Sequence, residues 1–202
     1  MRAVGVLGGT FDPVHIGHIL LARSILERLP LDEIVMIPAG DPPHKQRRPD
    51  MAPVEDRWTM VCQAARCITG FSVSRVEMDR KGKSFTVETL ARLKREHPDW
   101  VLHLLIGEDN IGQIDSWQDP AGILSMCTVV AGTRTERGCA QAGRSRFEDR
   151  IVRVSTPVFE VSSTEIRQRI KAGLSIRYLV PEAVESHIRR RGLYTGSAKM
   201  LT

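Results

Sequence analysis

The chain has 202 residues, and 42% of them are hydrophobic, which is enough for one domain with its own core. Lysine and arginine outnumber aspartate and glutamate by 29 to 24; this excess suits a polyanionic partner, whether a phosphorylated small molecule or a nucleic acid. Aromatic residues make up only 5% of the chain, which argues against a protein that binds single strands by stacking bases.

The cysteines and the first residues predict a cytoplasmic protein. No two cysteines form a CxxC pair, and the spacing of Cys62 and Cys67 does not suit a zinc site. The opening residues, MRAVGVLGGT, lack the charged region and long apolar stretch of a signal peptide. No apolar run approaches the ~18 residues that span a bilayer. We therefore expect no membrane partner.

Short apolar runs alternate with segments whose apolar residues recur at helical spacing. In chain order they predict a strand at 4–7, a helix from 17 to 30, a strand at 34–37, a helix starting near 53, a strand at 71–73, a helix at 86–95, strands at 101–106, 128–131 and 151–154, and helices at 163–172 and 181–190.

This alternation predicts an α/β fold, a doubly wound and mostly parallel Rossmann-like sheet with helices on both faces. Ligands of such sheets bind beyond the carboxyl ends of the strands, where the winding direction switches. Residues 1–195 are expected to form a single domain and residues 196–202 a disordered tail. Residues 132–149 have the least pattern and predict a mobile surface segment.

The strongest functional signal is the turn GGTFDPVHIGH between the first strand and the first helix. Gly8 and Gly9 let the backbone approach a ligand closely. His15 and His18, three residues apart at the helix start, project to nearly the same side. Free amides and the positive end of the helix dipole favour phosphate there, and two imidazoles can donate hydrogen bonds to a triphosphate.

Other interpretations of this turn fit less well. It lacks the lysine of the GxxxxGK[ST] loop, and its glycine spacing is not GxGxxG. A zinc site needs a third and a fourth ligand, and the sequence offers none nearby. Two neighbouring histidines alone are more often structural, but the strand, turn and helix around His15 and His18 favour a functional pair.

The segment from Gly8 to His18 resembles the HxGH signature of the nucleotidylyltransferase superfamily. The whole chain, as far as Leu193 and Tyr194, resembles the bacterial nicotinate-nucleotide adenylyltransferases. This resemblance implies that ATP and nicotinate mononucleotide are the substrates. The 5′-phosphate of the mononucleotide would attack the α-phosphorus of ATP in line. Mg²⁺ would arrive as a cofactor on the ATP phosphates, with no dedicated protein ligands.

A second candidate phosphate site opens the helix at 163. Ser162 and Glu165 have the spacing of a capping box, so a purely structural cap stays open. The hydroxyls of Ser163 and Thr164, with Arg167 one turn on, can also bind a polyphosphate. The segment VSSTEIR resembles the ISSTxxR signature of the family, which implies that Ser163 and Arg167 hold the ATP phosphates.

The loop after the second strand carries Lys45 and Arg47, which can neutralise the leaving pyrophosphate. A solvated basic loop is the alternative; similarity to the PPHK segment of the family favours the functional interpretation. The predicted ATP site comprises Gly8, Gly9, Thr10, Phe11, His15, His18, Lys45, Arg47, Ser163, Thr164 and Arg167. Of these, His15, His18 and Arg167 are the predicted catalytic residues.

Three residues are predicted to bind the acceptor. Thr86 opens a helix, where it can receive an anionic group or simply act as a cap. Asp109 follows the central strand and can accept hydrogen bonds from ribose hydroxyls, or be an ordinary surface carboxylate. Trp117 would otherwise be a core residue; the resemblance implies that it stacks on the pyridine ring.

Two departures from the family pattern leave alternatives open. An Arg-Pro-Gly run is replaced here by residues 131–136, where Arg134 can supply the charge, and Glu108 stands where a smaller residue is common. The acceptor could instead be nicotinamide mononucleotide or phosphopantetheine. The chain could also be a non-catalytic nucleotide-sensing or RNA-binding protein, since residues 189–191 are all arginine. We expect no nucleic acid partner; a homo-oligomer stays open.

Overall fold

The computed structural model describes residues 1–41, 50–80, 82–133, 145–157 and 159–196. The strands are β1 (Arg2–Gly9), β2 (Glu33–Pro38), β3 (Phe71–Val73), β4 (Trp100–Gly107), β5 (Thr128–Thr133) and β6 (Ile151–Ser155). The α-helices are α1 (Ile16–Arg28), α2 (Val54–Ala65), α3 (Thr86–Glu96), α4 (Pro120–Met126), α5 (Ser163–Lys171) and α6 (Glu182–Arg191). Two 3₁₀ helices span Glu108–Ser116 and Glu148–Arg150.

The six strands form one sheet in the order β3-β2-β1-β4-β5-β6. Each neighbouring pair runs parallel, so the sheet is parallel throughout the described residues. The winding direction reverses between β1 and β4, which places the switch point at the centre of the sheet. The predicted doubly wound, Rossmann-like α/β fold is confirmed.

Apolar side chains cover both faces of the sheet because successive strand residues point to opposite sides. Leu7 and Leu105 belong to a core cluster that also holds residues of α1, α2, α5 and α6. Val6 and Leu104, each one residue earlier, belong to a second cluster with residues of α3 and α4. The expected helices on both faces are confirmed.

The sequence did not predict the 3₁₀ helix Glu108–Ser116 or α4. Both are short, so neither shows enough turns for helical spacing to stand out. The start of α4 is nevertheless marked by ordinary signals. Asp119 is its N-cap and accepts a hydrogen bond from the Gly122 amide at 2.9 Å, and Pro120 takes the first helical position.

The C-terminal helix α6 packs on α2 through a buried ionic cluster. Asp56 on α2 accepts hydrogen bonds from His187 Nε2 at 2.9 Å and from Arg191 Nε at 3.0 Å. Arg189 pairs with Glu185 at 2.6 Å. Two of the three consecutive arginines are therefore committed to carboxylates of the chain itself, which weakens the reason to consider RNA binding.

No helix among the described residues is both long and apolar enough to cross a bilayer. Apart from Gly196, the expected tail at 196–202 lies outside the described residues. The single-domain boundary at 195 stays a prediction, and most of the segment predicted to be mobile also lies outside the described part.

Candidate active site

A cavity of about 1210 Å³ opens at the carboxyl ends of the central strands. Gly9 at the end of β1, Gly107 at the end of β4 and Gly132 near the end of β5 line it. A cavity at the predicted switch point is therefore present. Its volume exceeds the usual range for one drug-sized ligand, which suits two reactants side by side.

The turn after β1 is shaped by Phe11, whose side chain is buried although its φ is 48°. Residues other than glycine seldom adopt this left-handed conformation, and such positions cluster at functional sites. A Cβ on Gly9 would come within 3.1 Å of the Phe11 ring, so glycine makes room for the turn. The Phe11 and His18 rings in turn meet in an edge-to-face arrangement, with centroids 4.9 Å apart.

The two histidines lie side by side at the start of α1. Their ring centroids are 3.7 Å apart, and both rings line the cavity. A Cβ on Gly17 would approach His15 Nδ1 to 3.0 Å, so a larger residue between the histidines would displace the first ring. The two imidazoles therefore lie on one wall of the cavity, as their three-residue spacing predicts.

Main-chain geometry sets the tautomer of His18. The His15 backbone N–H donates to His18 Nδ1 at 3.2 Å. A ring nitrogen that accepts a hydrogen bond carries no proton, so the tautomer that fits this contact has its proton on Nε2. His18 can therefore offer an Nε2–H donor to an anionic ligand.

His15 is neutral near pH 7 for a different reason. Its side chain is buried, and burial lowers its pKa to about 4. An uncharged imidazole can still donate one hydrogen bond to a phosphate oxygen. His15 is thus suited to orient a ligand rather than to neutralise its charge.

The start of α5 lies against the first motif. The Ser162 hydroxyl accepts a hydrogen bond from the Glu165 amide at 3.1 Å, so the structural cap weighed for this residue is present. The neighbouring Ser163 hydroxyl donates to the Pro13 carbonyl at 2.9 Å across 150 residues of sequence. Ser163 and Thr164 also line the cavity, so the starts of α1 and α5 converge there.

Arg167 extends from α5 into the same region and is only 4% exposed. Its Nη1 donates to the Asp12 carbonyl at 2.6 Å and lies 3.8 Å from Asp12 Oδ2. Its Nη2 donates to the Thr164 hydroxyl at 3.1 Å. The guanidinium is therefore held on the cavity wall before any ligand binds.

The three predicted acceptor residues line the same cavity. Thr86 is the first residue of α3, but Phe85 is the N-cap and no side chain caps this helix, so the cap alternative for Thr86 is wrong. Asp109 is exposed, and a Cβ on Gly107 would approach its Oδ1 to 2.5 Å. Trp117 both lines the cavity and packs against the second core cluster.

Lys45, Arg47 and Arg134 lie outside the described residues, so their predicted roles stay predictions. Glu108 is buried at the end of β4, with Oε1 4.0 Å from Arg153 of β6. The unusual carboxylate at this position is therefore faced by an arginine within the fold.

Several buried polar residues at or near the cavity were not predicted from the sequence, among them the charge-bearing residues Arg57 and Glu77. Arg57 on α2 is fully buried and donates to the carbonyls of Thr10 and Ala39 at 2.9 and 2.6 Å. Glu77 lines the cavity and accepts a hydrogen bond from Thr89 at 2.7 Å; burial raises its pKa. In the sequence, Arg57 is only a charged residue beside the apolar stripe of a predicted helix. Many exposed arginines occupy the same kind of position, so this pattern does not predict burial.

A parallel α/β sheet with two helix starts converging on a cavity at its switch point is the architecture of a nucleotide-binding protein. Residues 6–169 match the model of the family described as cytidylyltransferase-like. A relative from Rubrobacter xylanophilus, named "Probable nicotinate-nucleotide adenylyltransferase", is 40% identical over 97% of this chain and 94% of its own. One from Moorella thermoacetica with the same name is 39% identical over 95% and 91%.

The chain belongs to the cytidylyltransferase-like family and, within it, to the nicotinate-nucleotide adenylyltransferases. Solved structures agree in fold. Plasmodium falciparum nicotinic acid mononucleotide adenylyltransferase complexed with NaAD has a TM-score of 0.78 at 16% identity, covering 96% of this chain and 98% of its own. The same protein complexed with APC has a TM-score of 0.76 at 15% identity, with the same coverage.

Proposed function

We propose that the chain transfers the adenylyl group of ATP to nicotinate mononucleotide, forming nicotinate adenine dinucleotide and pyrophosphate in NAD biosynthesis. The observation that carries the proposal is one cavity whose lining holds both the phosphate-type donors at the starts of α1 and α5 and the residues Thr86, Asp109 and Trp117. The names of the relatives support the reaction. The predicted compartment is the cytoplasm.

The reaction needs no covalent intermediate. A 5′-phosphate oxygen of the mononucleotide forms a bond to the α-phosphorus of ATP, and the bond from that phosphorus to the bridging oxygen breaks. The electron pair of the broken bond leaves with pyrophosphate. Because both reactants are anionic, the enzyme must mainly align them and offset their charge.

The described residues divide this task between them. His18, whose Nδ1 accepts from the His15 amide, would donate from Nε2–H to an α-phosphate oxygen, where charge grows in the transition state. The neutral His15 ring beside it fixes the position of the same group. Arg167 and Ser163 take the outer phosphates, whose charge becomes that of the leaving pyrophosphate.

The acceptor would occupy the end of the cavity near α3. Trp117 offers a ring face for the pyridine, and Asp109 can accept hydrogen bonds from the ribose. The amides at the start of α3, beside Thr86, suit the nicotinate carboxylate because a helix start favours an anion. That carboxylate is what distinguishes nicotinate from nicotinamide mononucleotide.

Mg²⁺ is proposed to enter as a complex with ATP. The described donors at the phosphate end are imidazole, hydroxyl and guanidinium groups, which suit phosphate oxygens better than a hard cation. The ion would therefore keep water and phosphate ligands and lower the charge of the triphosphate.

An assay with three acceptors tests the proposal. The purified chain is given ATP and Mg²⁺ with nicotinate mononucleotide, nicotinamide mononucleotide or phosphopantetheine, and both pyrophosphate and the adenylylated product are measured. We expect kcat/KM for the nicotinate form to exceed the others by about 10-fold or more. Donors that are placed to bind a carboxylate are left poorly paired when the ligand carries a neutral amide instead. Chelation of Mg²⁺ should abolish turnover.

His18→Ala serves as the control against a contaminating enzyme, because loss of a preorganised donor should lower kcat by on the order of 10²-fold. Equal use of the nicotinate and nicotinamide forms would contradict the carboxylate site. An absence of adenylylated product with every acceptor would overturn the proposed function itself.

A further inference from the structure

The first turn of α3 is joined to the preceding segment by a buried pair of polar side chains. Glu77 lies between β3 and α3, and Thr89 is the fourth residue of α3; both line the cavity. They are 7% and 4% exposed, respectively. The Thr89 hydroxyl donates to Glu77 Oε1 at 2.7 Å, the usual length of a well-formed bond between two oxygens. Because the pair is buried, the loss of either partner leaves a polar group without water to replace it.

The Thr89 hydroxyl also lies 3.2 Å from the carbonyl oxygen of Phe85 in its own helix. A threonine in a helix commonly bonds in this way to the carbonyl four residues earlier. Thr59 of α2 does so, donating to the Glu55 carbonyl at 2.8 Å. For Thr89 the shorter of the two contacts goes to Glu77. Its hydroxyl therefore ties the first turn of α3 to a different segment of the chain.

The backbone on either side of this tie is itself held in place. Arg92, further along α3, donates from Nη1 to the Val76 carbonyl at 3.2 Å. A Cβ on Gly40 would approach the Glu77 carbonyl oxygen to 2.5 Å, so the backbone after β2 packs directly against this residue. The Glu77 carboxylate thus extends from a fixed backbone and can anchor Thr89.

The first turn of α3 is also where the acceptor carboxylate is proposed to bind. Phe85 is the N-cap, and none of the described side chains caps this helix. The amides at such a start can receive an anion, and the orientation of the first turn sets where they point. A small displacement of the turn would therefore misalign the donors with the carboxylate of the acceptor.

We propose that Glu77 is a positioning residue for the acceptor: by accepting a hydrogen bond from Thr89, it fixes the first turn of α3 and sets the preference for a carboxylate over an amide on the pyridine ring. This inference rests on the proposed function. ATP is proposed to bind at the starts of α1 and α5, away from this pair. The loss of the contact should therefore fall on the acceptor and spare ATP.

The test is Thr89→Val, which keeps the shape of the side chain and removes the donor. Thr59→Val is the matched control, because Thr59 makes the same kind of bond within its helix and is not among the residues that line the cavity. For Thr89→Val we expect the KM of nicotinate mononucleotide to rise about 10-fold, with kcat and the KM of ATP unchanged. The ratio of kcat/KM between the nicotinate and nicotinamide forms should fall towards one. Thr59→Val should match the parent in each of these values.

Variants of Glu77 test whether the two residues act through one contact. Glu77→Ala should repeat the effect of Thr89→Val, and the double variant should be no worse than either single one. Glu77→Gln keeps an oxygen that can accept from Thr89, so it should bring the acceptor KM back to within about 3-fold of the parent. Unfolding midpoints show which variants fold; should one of the two loss-of-contact variants fail to fold, the other decides.

Equal rises in the KM of ATP and of the acceptor would indicate a general loosening of the fold and would overturn the inference. A Glu77→Gln chain as impaired as Glu77→Ala would overturn it too. Calorimetry with nicotinate mononucleotide measures the acceptor affinity without turnover. A parent that binds this nucleotide but forms no dinucleotide would refute the proposed function alone, whereas a Thr89→Val chain that binds it as tightly as the parent would refute this inference alone.

Discussion

The chemistry available at His18 is decided by a main-chain contact. The His15 amide donates to His18 Nδ1, so the tautomer that fits this contact carries its proton on Nε2. The three-residue spacing of the histidines brings this amide to the ring, and Gly17 leaves room for the His15 ring. The HxGH pattern therefore encodes a tautomer as well as a pair of side chains.

This tautomer predicts that the two amide substitutions of His18 will differ. The glutamine amide reaches the position of Nε2, whereas the asparagine amide reaches only that of Nδ1. His18→Gln should lower kcat by no more than about 10-fold, and His18→Asn by on the order of 10²-fold, as expected for a lost donor. Steady-state kinetics on both variants give the comparison, with unfolding midpoints to show that both remain folded. The reverse order would contradict the assignment.

The helices that carry the site depend on α6, which contributes no residue to the cavity lining. Asp56 joins α6 to α2, and Arg57, the next residue, holds the carbonyls of Thr10 and Ala39 at the ends of β1 and β2. Burial raises the pKa of Asp56, but hydrogen bonds from Arg191 and His187 outweigh this, so its pKa lies below the usual value. Its stabilising effect is present above the ordinary aspartate pKa and is lost as the pH falls through the lowered value.

Asp56→Ala should therefore destabilise the fold by about 3 kcal/mol, because it leaves the buried His187 without its carboxylate. Urea unfolding at pH 7 measures the change in the free energy of unfolding. Glu55→Ala is the neighbouring control, since Glu55 pairs with Arg75 at the surface and should cause no measurable change. Equal losses of unfolding free energy in the two variants would show that alanine itself destabilises this part of α2. The buried pair of Asp56 and His187 would then contribute no stability of its own.

At the scale of the whole molecule, the helices that carry candidate ATP-binding residues and the helix that carries Thr86 lie on opposite faces of the sheet. Helices α1 and α5 pack in one core cluster and α3 in the other, yet residues from all three line one cavity. A ligand that spans the cavity would contact both sets at once. Binding to the native state alone raises stability by mass action.

Nicotinate adenine dinucleotide should accordingly raise the unfolding midpoint more than AMP or nicotinate mononucleotide does at the same concentration. At 100 times its dissociation constant, the expected gain is about 2.7 kcal/mol. For a chain of this length, that gain corresponds to roughly 5 to 10 °C. Thermal unfolding followed by fluorescence gives the midpoints. A dinucleotide shift no larger than that of AMP would mean that the ligand does not bridge the two ends.

The sequence by itself determined the strands, the longer helices, the parallel architecture and the two phosphate-type motifs. Each of these depends on a local pattern: apolar period, glycine in a turn, or a polar residue at a helix start. Even the position of the cavity followed, because parallel strands end at the same edge of the sheet. The HxGH turn was recognisable since all its parts lie within eleven residues.

Only the tertiary structure decided which distant groups meet. The contacts of Ser163 with Pro13 and of Tyr194 with Asp12 join residues 150 and 182 positions apart. No local period records such pairs, because they arise when α5 and α6 pack into the core cluster that also holds α1 and α2. The burial of His15 and of Arg57 is likewise a property of the assembled core. Burial removes water from the His15 ring and so lowers its pKa, an effect that the residue type alone does not reveal.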